Sequence, residues 1–159
     1  LDIANHLKQV SGEADFVVIV PSKGVLVLEV KAHYEIDYTV NGWYYGKDKK
    51  YDAKGPFKQA SSAMHSLRKE LLKSYPEFSS ILFWSGVIFP YTAFSVDSPE
   101  WHSWQVINRQ LYNARPLAAS IENILDQAKT FLIDEQNFSW YSQKVEPTLE
   151  QCKQISQFF

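Results

Sequence analysis

Cysteine is nearly absent from these 159 residues, and Cys152, standing alone, excludes both a disulfide and a cysteine zinc site. Histidine is scarce as well. His6, His33, His65 and His102 are scattered, without the helical or hairpin spacing that holds a metal. Long apolar runs are lacking: Phe16–Pro21 and Ile81–Pro90 are the most extended, and both are too short to span a bilayer. No basic start leading into an apolar segment marks a signal peptide, and no repeat or low-complexity tract is present. These absences lead us to expect a soluble chain in a reducing, cytoplasmic setting with no membrane partner. They leave the oligomeric state unknown.

What remains is ordinary globular composition, 45% hydrophobic and 21% charged, with a high aromatic share of 15%. The length suits one domain with a real core. The chain opens on Leu1 and stops at Phe158-Phe159 inside a helical pattern, so we expect a piece of a longer protein. Net charge is only −2, yet residues 47–73 carry eight basic side chains against three acidic ones. Such a local excess steers phosphate backbones to one face, with Lys49, Lys50, Lys54 and Lys58 as candidate nucleic-acid contacts. A solvated loop and helix face is the competing reading.

Asp15–Val20 is β-branched and apolar on both faces, as for a strand covered on both sides. Pro21-Ser22-Lys23-Gly24 is a turn, and Val25–Lys31 is a second strand, so the two form a hairpin. A further hairpin is expected from Tyr34–Val40 and Trp43–Tyr45, with Asn41-Gly42 as a tight I′ turn. Lys47–Gly55 reads as polar loop. Pro56 opens a helix whose stripe of Phe57, Ala60, Met64, Leu67 and Leu71 ends near Tyr75-Pro76. Ile81–Phe89 is a buried strand, residues 91–103 are loop, and Trp104–Ile107 is a short strand. Leu117–Leu132 is a helix, residues 133–147 a linker, and Leu149–Phe159 starts a last helix. This order gives an α/β fold, a mixed sheet flanked by helices.

Residues two apart on a strand share a face, so Glu29 and Lys31 point the same way, as do Glu13 and Asp15 if the strand already begins there. The hairpin brings the Asp15 end beside the Glu29 end, and two acids and a lysine converge at the edge of an apolar sheet. An ion pair at a strand end is the structural alternative. Burying charge costs several kcal/mol per ion before pairing, roughly, and apolar replacements often serve as well. Two close carboxylates repel unless a cation sits between them, and Mg²⁺ takes one or two carboxylates together with water and phosphate. A nearby lysine can orient water and stabilise charge on phosphate.

Gly12-Glu13-Ala14-Asp15-Phe16-Val17-Val18 followed by Gly24-Val25-Leu26-Val27-Leu28-Glu29-Val30-Lys31 resembles the NERD (nuclease-related) domain of the PD-(D/E)xK nuclease superfamily. The resemblance continues through Asn41-Gly42-Trp43-Tyr44 and Pro56-Phe57-Lys58-Gln59-Ala60, and more loosely to about residue 130. It implies a restriction-endonuclease-like fold over residues 1–132 and metal-dependent hydrolysis of DNA phosphodiesters. Asp15, Glu29 and the backbone carbonyl of Val30 would hold Mg²⁺ or Mn²⁺, and Lys31 would position the water. Gln59 would touch metal-bound water or phosphate, or else bond exposed N–H groups of its helix. Glu13 would be an auxiliary acid or a surface carboxylate. Ala14 stands where the superfamily's name has proline. Related domains also carry a helix with another acid before the first strand, and only twelve residues precede Glu13 here.

Glu146-Pro147-Thr148-Leu149-Glu150-Gln151 through Ile155 resembles the Q motif that opens superfamily I helicase domains, where a glutamine like Gln151 contacts the adenine of ATP. That implies a helicase-like domain starting at residues 148–159, a DNA repair or phage-defence setting, and ATP use only in the longer parent. A helix start capped by Thr148 is the competing reading. Two further functions stay open: a non-catalytic nucleic-acid-binding or docking module that keeps the nuclease fold, and a protein-interaction domain using aromatic loops at 91–104. Among the tryptophans, Trp84 reads as core, while Trp101 and Trp104, beside His102, are better placed for exposed contact. Trp43 and Trp140 could stack on bases, and His33 could reach phosphate.

Overall fold

The computed structural model describes residues 4–5, 14–135 and 145–159. Its larger sheet has five strands: β1 (Ala4–Asn5), β2 (Phe16–Val20), β3 (Gly24–Val30), and, later in the chain, β7 (Phe83–Ile88) and β8 (Val106–Ile107). They lie in the order β1-β2-β3-β7-β8. β1 and β2 pair antiparallel, as do β2 and β3, whereas β3, β7 and β8 run parallel. A second, three-stranded antiparallel sheet is built from β4 (Ile36–Thr39), β5 (Gly42–Tyr45) and β6 (Lys50–Asp52). Among the described residues there are four α-helices: α1 (Pro56–Ser74), α2 (Arg109–Ala114), α3 (Leu117–Glu135) and α4 (Leu149–Phe158). This is the mixed sheet flanked by helices expected of a restriction-endonuclease-like fold.

The doubly apolar strands are explained by what covers them. Val25 and Val27 of β3 and Ile19 of β2 pack with Ala63, Met64, Leu67 and Leu71 of α1. The intervening Leu26, Leu28, Val18 and Val20 pack on the other face with Ile121, Ile124, Leu125, Ala128 and Leu132 of α3. From Val18 to Val20 and from Gly24 to Leu28 neither face of the hairpin meets water, so neither can alternate with polar residues. The hairpin turn requires its glycine: Gly24 has φ 143°, and a Cβ there would lie 2.5 Å from the carbonyl oxygen of Leu82.

α1 runs opposite to β7. Its start, at Phe57, packs with Val87 and Phe89 at the end of β7, while Leu71 packs with Phe83 at the beginning. The first turn of α1 therefore sits at the edge where β3 and β7 finish. Gly55, before the helix, has φ 79°, and a Cβ there would lie 2.1 Å from Nε1 of Trp43. Trp43 is 2% exposed and is ringed by Tyr38, Tyr45, Phe57, Phe89, Phe94 and Trp101. This aromatic cluster welds the small sheet to the large one.

Several local expectations need correction. The β4–β5 loop residues are Val40 and Asn41, because Thr39 pairs with Gly42. Neither has positive φ, so the turn is not type I′. The hydroxyl of Tyr51 on β6 donates to the carbonyl of Asn41 at 2.8 Å and lies against Gly42, which pulls the glycine into the strand. β6 itself falls in the stretch read as polar loop, and α2 was not anticipated. α2 buries no residue and so carries no apolar stripe to be seen. α3 runs on past Leu132 to Glu135. Trp101 is not exposed: at 5% it stacks on Phe57 with ring centroids 4.2 Å apart, and its Nε1 donates to the Val96 carbonyl. Trp84 and Trp104 are half-buried around His102 and Phe131. Trp140 lies outside the described residues.

The C-terminal helix packs on the α1 face, with Cys152, Ile155 and Phe159 joining the cluster around Val25 and Phe83. The turn after β2 is tied to the segment ahead of α4 by a 2.8 Å hydrogen bond from the Ser22 amide to the Pro147 carbonyl. Ile155 is fully buried. Ile155→Ala is expected to lower stability by about 2–5 kcal/mol. The check is a shift of the urea midpoint in a single transition. An unchanged midpoint would mean that α4 is not part of the cooperative core.

Candidate active site

The pairing of Phe16 with Leu28, carried one residue outward, sets Asp15 opposite Glu29. Opposite residues of an antiparallel pair share a face, here the face covered by α1. Asp15 is exposed, and its Oδ2 accepts a 2.8 Å hydrogen bond from the Val30 amide, closing the hairpin end with a side chain. Glu29 is 8% exposed, a carboxylate at the end of a strand of buried Val and Leu. Lys31 follows on the same side with its Nζ 3.0 Å from Glu29 Oε1. The Lys31 amide donates to the Ile88 carbonyl, so the lysine is held on the edge that β3 and β7 share.

Burial, the largest influence, pushes the Glu29 carboxyl above the usual glutamate range. Lys31 pulls it back through a hydrogen bond and its charge, while the charges of Asp15 and Asp52 push it further up. Three acids and one lysine therefore share one electrostatic neighbourhood. Asp52 was not among the residues picked out from the sequence. It arrives on β6 opposite Trp43, and its Oδ2 accepts from the Tyr45 hydroxyl at 3.1 Å. Burial and the Asp52 carboxylate hold the Tyr45 phenol far above its ordinary range, so it stays a donor at any working pH. The Lys31 ammonium lies over the Tyr45 ring, 5.4 Å from its centroid. The only signal for these two was the hairpin after Lys31. A polar reading of residues 47–55 hid the third strand that delivers Asp52.

Gln59 lies in the first helical turns of α1, at the end of the sheet where β3 and β7 finish. Its Oε1 is buried and has no hydrogen-bond partner among the described residues. Such an orphaned acceptor costs about 1–3 kcal/mol, which marks it as a group awaiting a donor. Glu13 lies outside the described residues. Among those described, no three His, Cys, Asp or Glu side chains form a ready metal cage. The carboxylates at hand are those of Glu29, Asp15 and Asp52, with the strand backbone beside them.

The expected nucleic-acid lysines are dispersed. Lys49 is engaged by Asp37 and Glu35, and Lys58 lies 3.2 Å from Glu100. Lys50 and Lys54 are exposed and have no ion-pair partner among the described residues. Gln151 sits in a reciprocal capping box: its Oε1 accepts from the Thr148 amide at 2.8 Å, and its amide donates to Thr148 Oγ1 at 3.2 Å. Its carbonyl oxygen thus serves the helix start.

Residues 1–90 match the family model of the nuclease-related domain, NERD. The chain belongs to the NERD family. Neither a curated protein nor a solved structure matches it. No helix of the described residues is long and apolar enough to cross a membrane.

The raised Glu29 carboxyl has a stability consequence. A carboxyl whose folded pKa exceeds its unfolded value takes up a proton on folding. Stability from this group is therefore greatest below the unfolded value and falls as pH rises through the folded one. Glu29→Gln removes that dependence. It is expected to leave the pH 7 urea midpoint equal or higher, and to flatten the profile just above the ordinary glutamate value. A lower midpoint at pH 7 would show that the Lys31 pair outweighs the burial cost.

Proposed function

We propose that this domain hydrolyses phosphodiester bonds of DNA with a divalent metal, Mg²⁺ or Mn²⁺. The observation that carries the reading is the buried Glu29 carboxylate with Asp15 opposite it and Lys31 at 3.0 Å, on an apolar sheet that does not need them for packing. Asp15, Glu29 and the Val30 carbonyl are the residues that would hold the ion. They are hard oxygen donors, one or two carboxylates being what Mg²⁺ takes from a protein, and the orphaned Gln59 oxygen supports a site that awaits solvent or ligand donors. When bound, the metal polarises the phosphate and makes a water a better nucleophile.

The chain's own side chains do the rest. Asp15 keeps one oxygen on the Val30 amide, which fixes its orientation and leaves the other for a ligand. Glu29, desolvated and crowded by Asp15 and Asp52, gains most from an added cation. Lys31 would orient the attacking water and offset charge on the phosphate. Tyr45 and Asp52 position Lys31 from the ring side. Gln59 accepts from water beside the phosphate. Glu13 stands as an auxiliary acid on sequence grounds alone. Exposed Lys50 and Lys54 attract the backbone, with Lys49 and Lys58 available once their acidic partners are displaced.

Fusion to an ATP-dependent helicase, a cytoplasmic setting, and the division into a nuclease unit, a linker and a following unit from residue 148 rest on sequence alone. The packing of α4 favours counting it with the nuclease unit. The test is incubation of the protein with linear, nicked and single-stranded DNA in Mg²⁺, Mn²⁺ or EDTA. Metal-dependent cutting is expected, with Lys31→Ala and Glu29→Gln each reducing the rate by about 100-fold or more. DNA binding without cutting under every metal condition would favour the non-catalytic reading. Cutting that survives Lys31→Ala would remove the role given to that residue.

A further inference from the structure

β3 and β7 run parallel and end together, Val30 beside Ile88. Beyond them the two chains continue as neighbours through residues 31–34 and 89–92. Thr92 donates its hydroxyl to the His33 carbonyl at 2.7 Å, which pins one to the other. The pair ends in two tyrosines, Tyr34 and Tyr91, stacked with ring centroids 4.8 Å apart and planes 9° from parallel. Tyr34 is 78% exposed and Tyr91 42%, so the stack stands in solvent. A single exposed aromatic needs no explanation. Two rings delivered by separate strand ends and locked face to face, three residues past Lys31, form a built surface. It lies at the carboxyl edge of parallel strands, where α/β sheets bind ligands.

The surroundings extend it. His33 stacks on Tyr45 at 5.2 Å and 17°, and the Lys31 ammonium lies over the Tyr45 ring, 5.4 Å from its centroid. The β5–β6 turn passes beside His33, with Gly46 hydrogen-bonded to the Glu35 carbonyl. That turn leads through Lys47 to Lys50, both exposed. Flat aromatic faces suit a base, and exposed ammonium groups on the turn beside His33 attract the phosphates of the same strand. Inside a duplex the base faces are already stacked on one another, so away from duplex ends such a platform can engage only an unpaired base.

Resting on the nuclease reading above, we infer that the Tyr34–Tyr91 stack is a platform for an unpaired base beside the reacting phosphate, so that the site prefers single-stranded or frayed DNA over closed duplex. The rings act by stacking, and the hydroxyls are not required. Tyr34 is a substrate-positioning residue and takes no part in the chemistry.

The experiment measures affinity of the protein for a labelled single-stranded oligodeoxynucleotide and for a covalently closed, relaxed circular duplex in EDTA. Cleavage of both is then followed in Mn²⁺. Tyr34→Ala, Tyr34→Leu and Tyr91→Ala should each lower the single-strand to duplex affinity ratio by about ten-fold, and Tyr34→Phe should keep it. Tyr34→Leu retains apolar bulk, so its loss isolates the aromatic face, and thermal melts confirm folding of each variant. Equal loss on both DNAs, no loss, or a Tyr34→Phe defect matching Tyr34→Ala would overturn the platform while leaving cleavage by the wild type intact. A wild type that neither binds nor cuts any of these DNAs would overturn the nuclease reading, and the platform with it.

Discussion

Glu29 stands next to last in a strand whose every preceding residue from Gly24 is buried, and the same apolar covering that makes β3 stable makes that carboxylate costly. Much of the site follows from this conflict. The charge is tolerated because Lys31, two residues on and therefore on the same face, reaches it at 3.0 Å. Lys31 in turn is steered by the Tyr45 ring, and Tyr45 is anchored by Asp52. A chain selected for stability alone would place a valine at position 29, since replacing a buried pair with apolar residues is often neutral or favourable. Retaining the pair is what the metal-dependent site proposed above would require.

The covering elements are arranged around that edge. α3 seals one face of the hairpin, and α1 and α4 seal the other. The small β4–β6 sheet adds no strand to the main sheet. It closes the open end beyond β3, and the Trp43 cluster locks it there through Phe57 of α1 and Phe89 beyond β7. The close approach of Gly55 to Trp43 is the point at which the helix start, the aromatic cluster and the small sheet are fitted together. A side chain at that position would push the first turn of α1, and Gln59 with it, away from the edge.

The parts legible in the sequence were those with a local period. The hairpin was readable because both strands are β-branched with a Pro-Ser-Lys-Gly turn between them. α1 was readable from Pro56 and a five-residue apolar stripe. The acid pair and the lysine followed from strand alternation. What stayed hidden depends on long-range placement. Asp52 lies on a three-residue strand whose partner, β5, begins ten residues earlier, and so short a strand has no pattern of its own. Trp101 reads as exposed in the sequence because a loop residue beside polar neighbours gives no sign that Phe57 will cover it. The I′ turn failed because a third strand, invisible locally, supplied Tyr51 to hold Gly42. The Tyr34–Tyr91 stack joins residues 57 positions apart and needs the parallel register of β3 and β7 to exist at all.

The shared neighbourhood of Asp15, Glu29 and Lys31 is most directly examined by a crystal structure of the protein soaked in Mn²⁺, read by anomalous scattering. A peak shared by the Asp15 and Glu29 carboxylates, with the Lys31 ammonium withdrawn from Glu29, is the expected result. Saturating Mn²⁺ with no peak there, and the Glu29–Lys31 pair still closed, would contradict a metal-dependent site at this edge of the sheet.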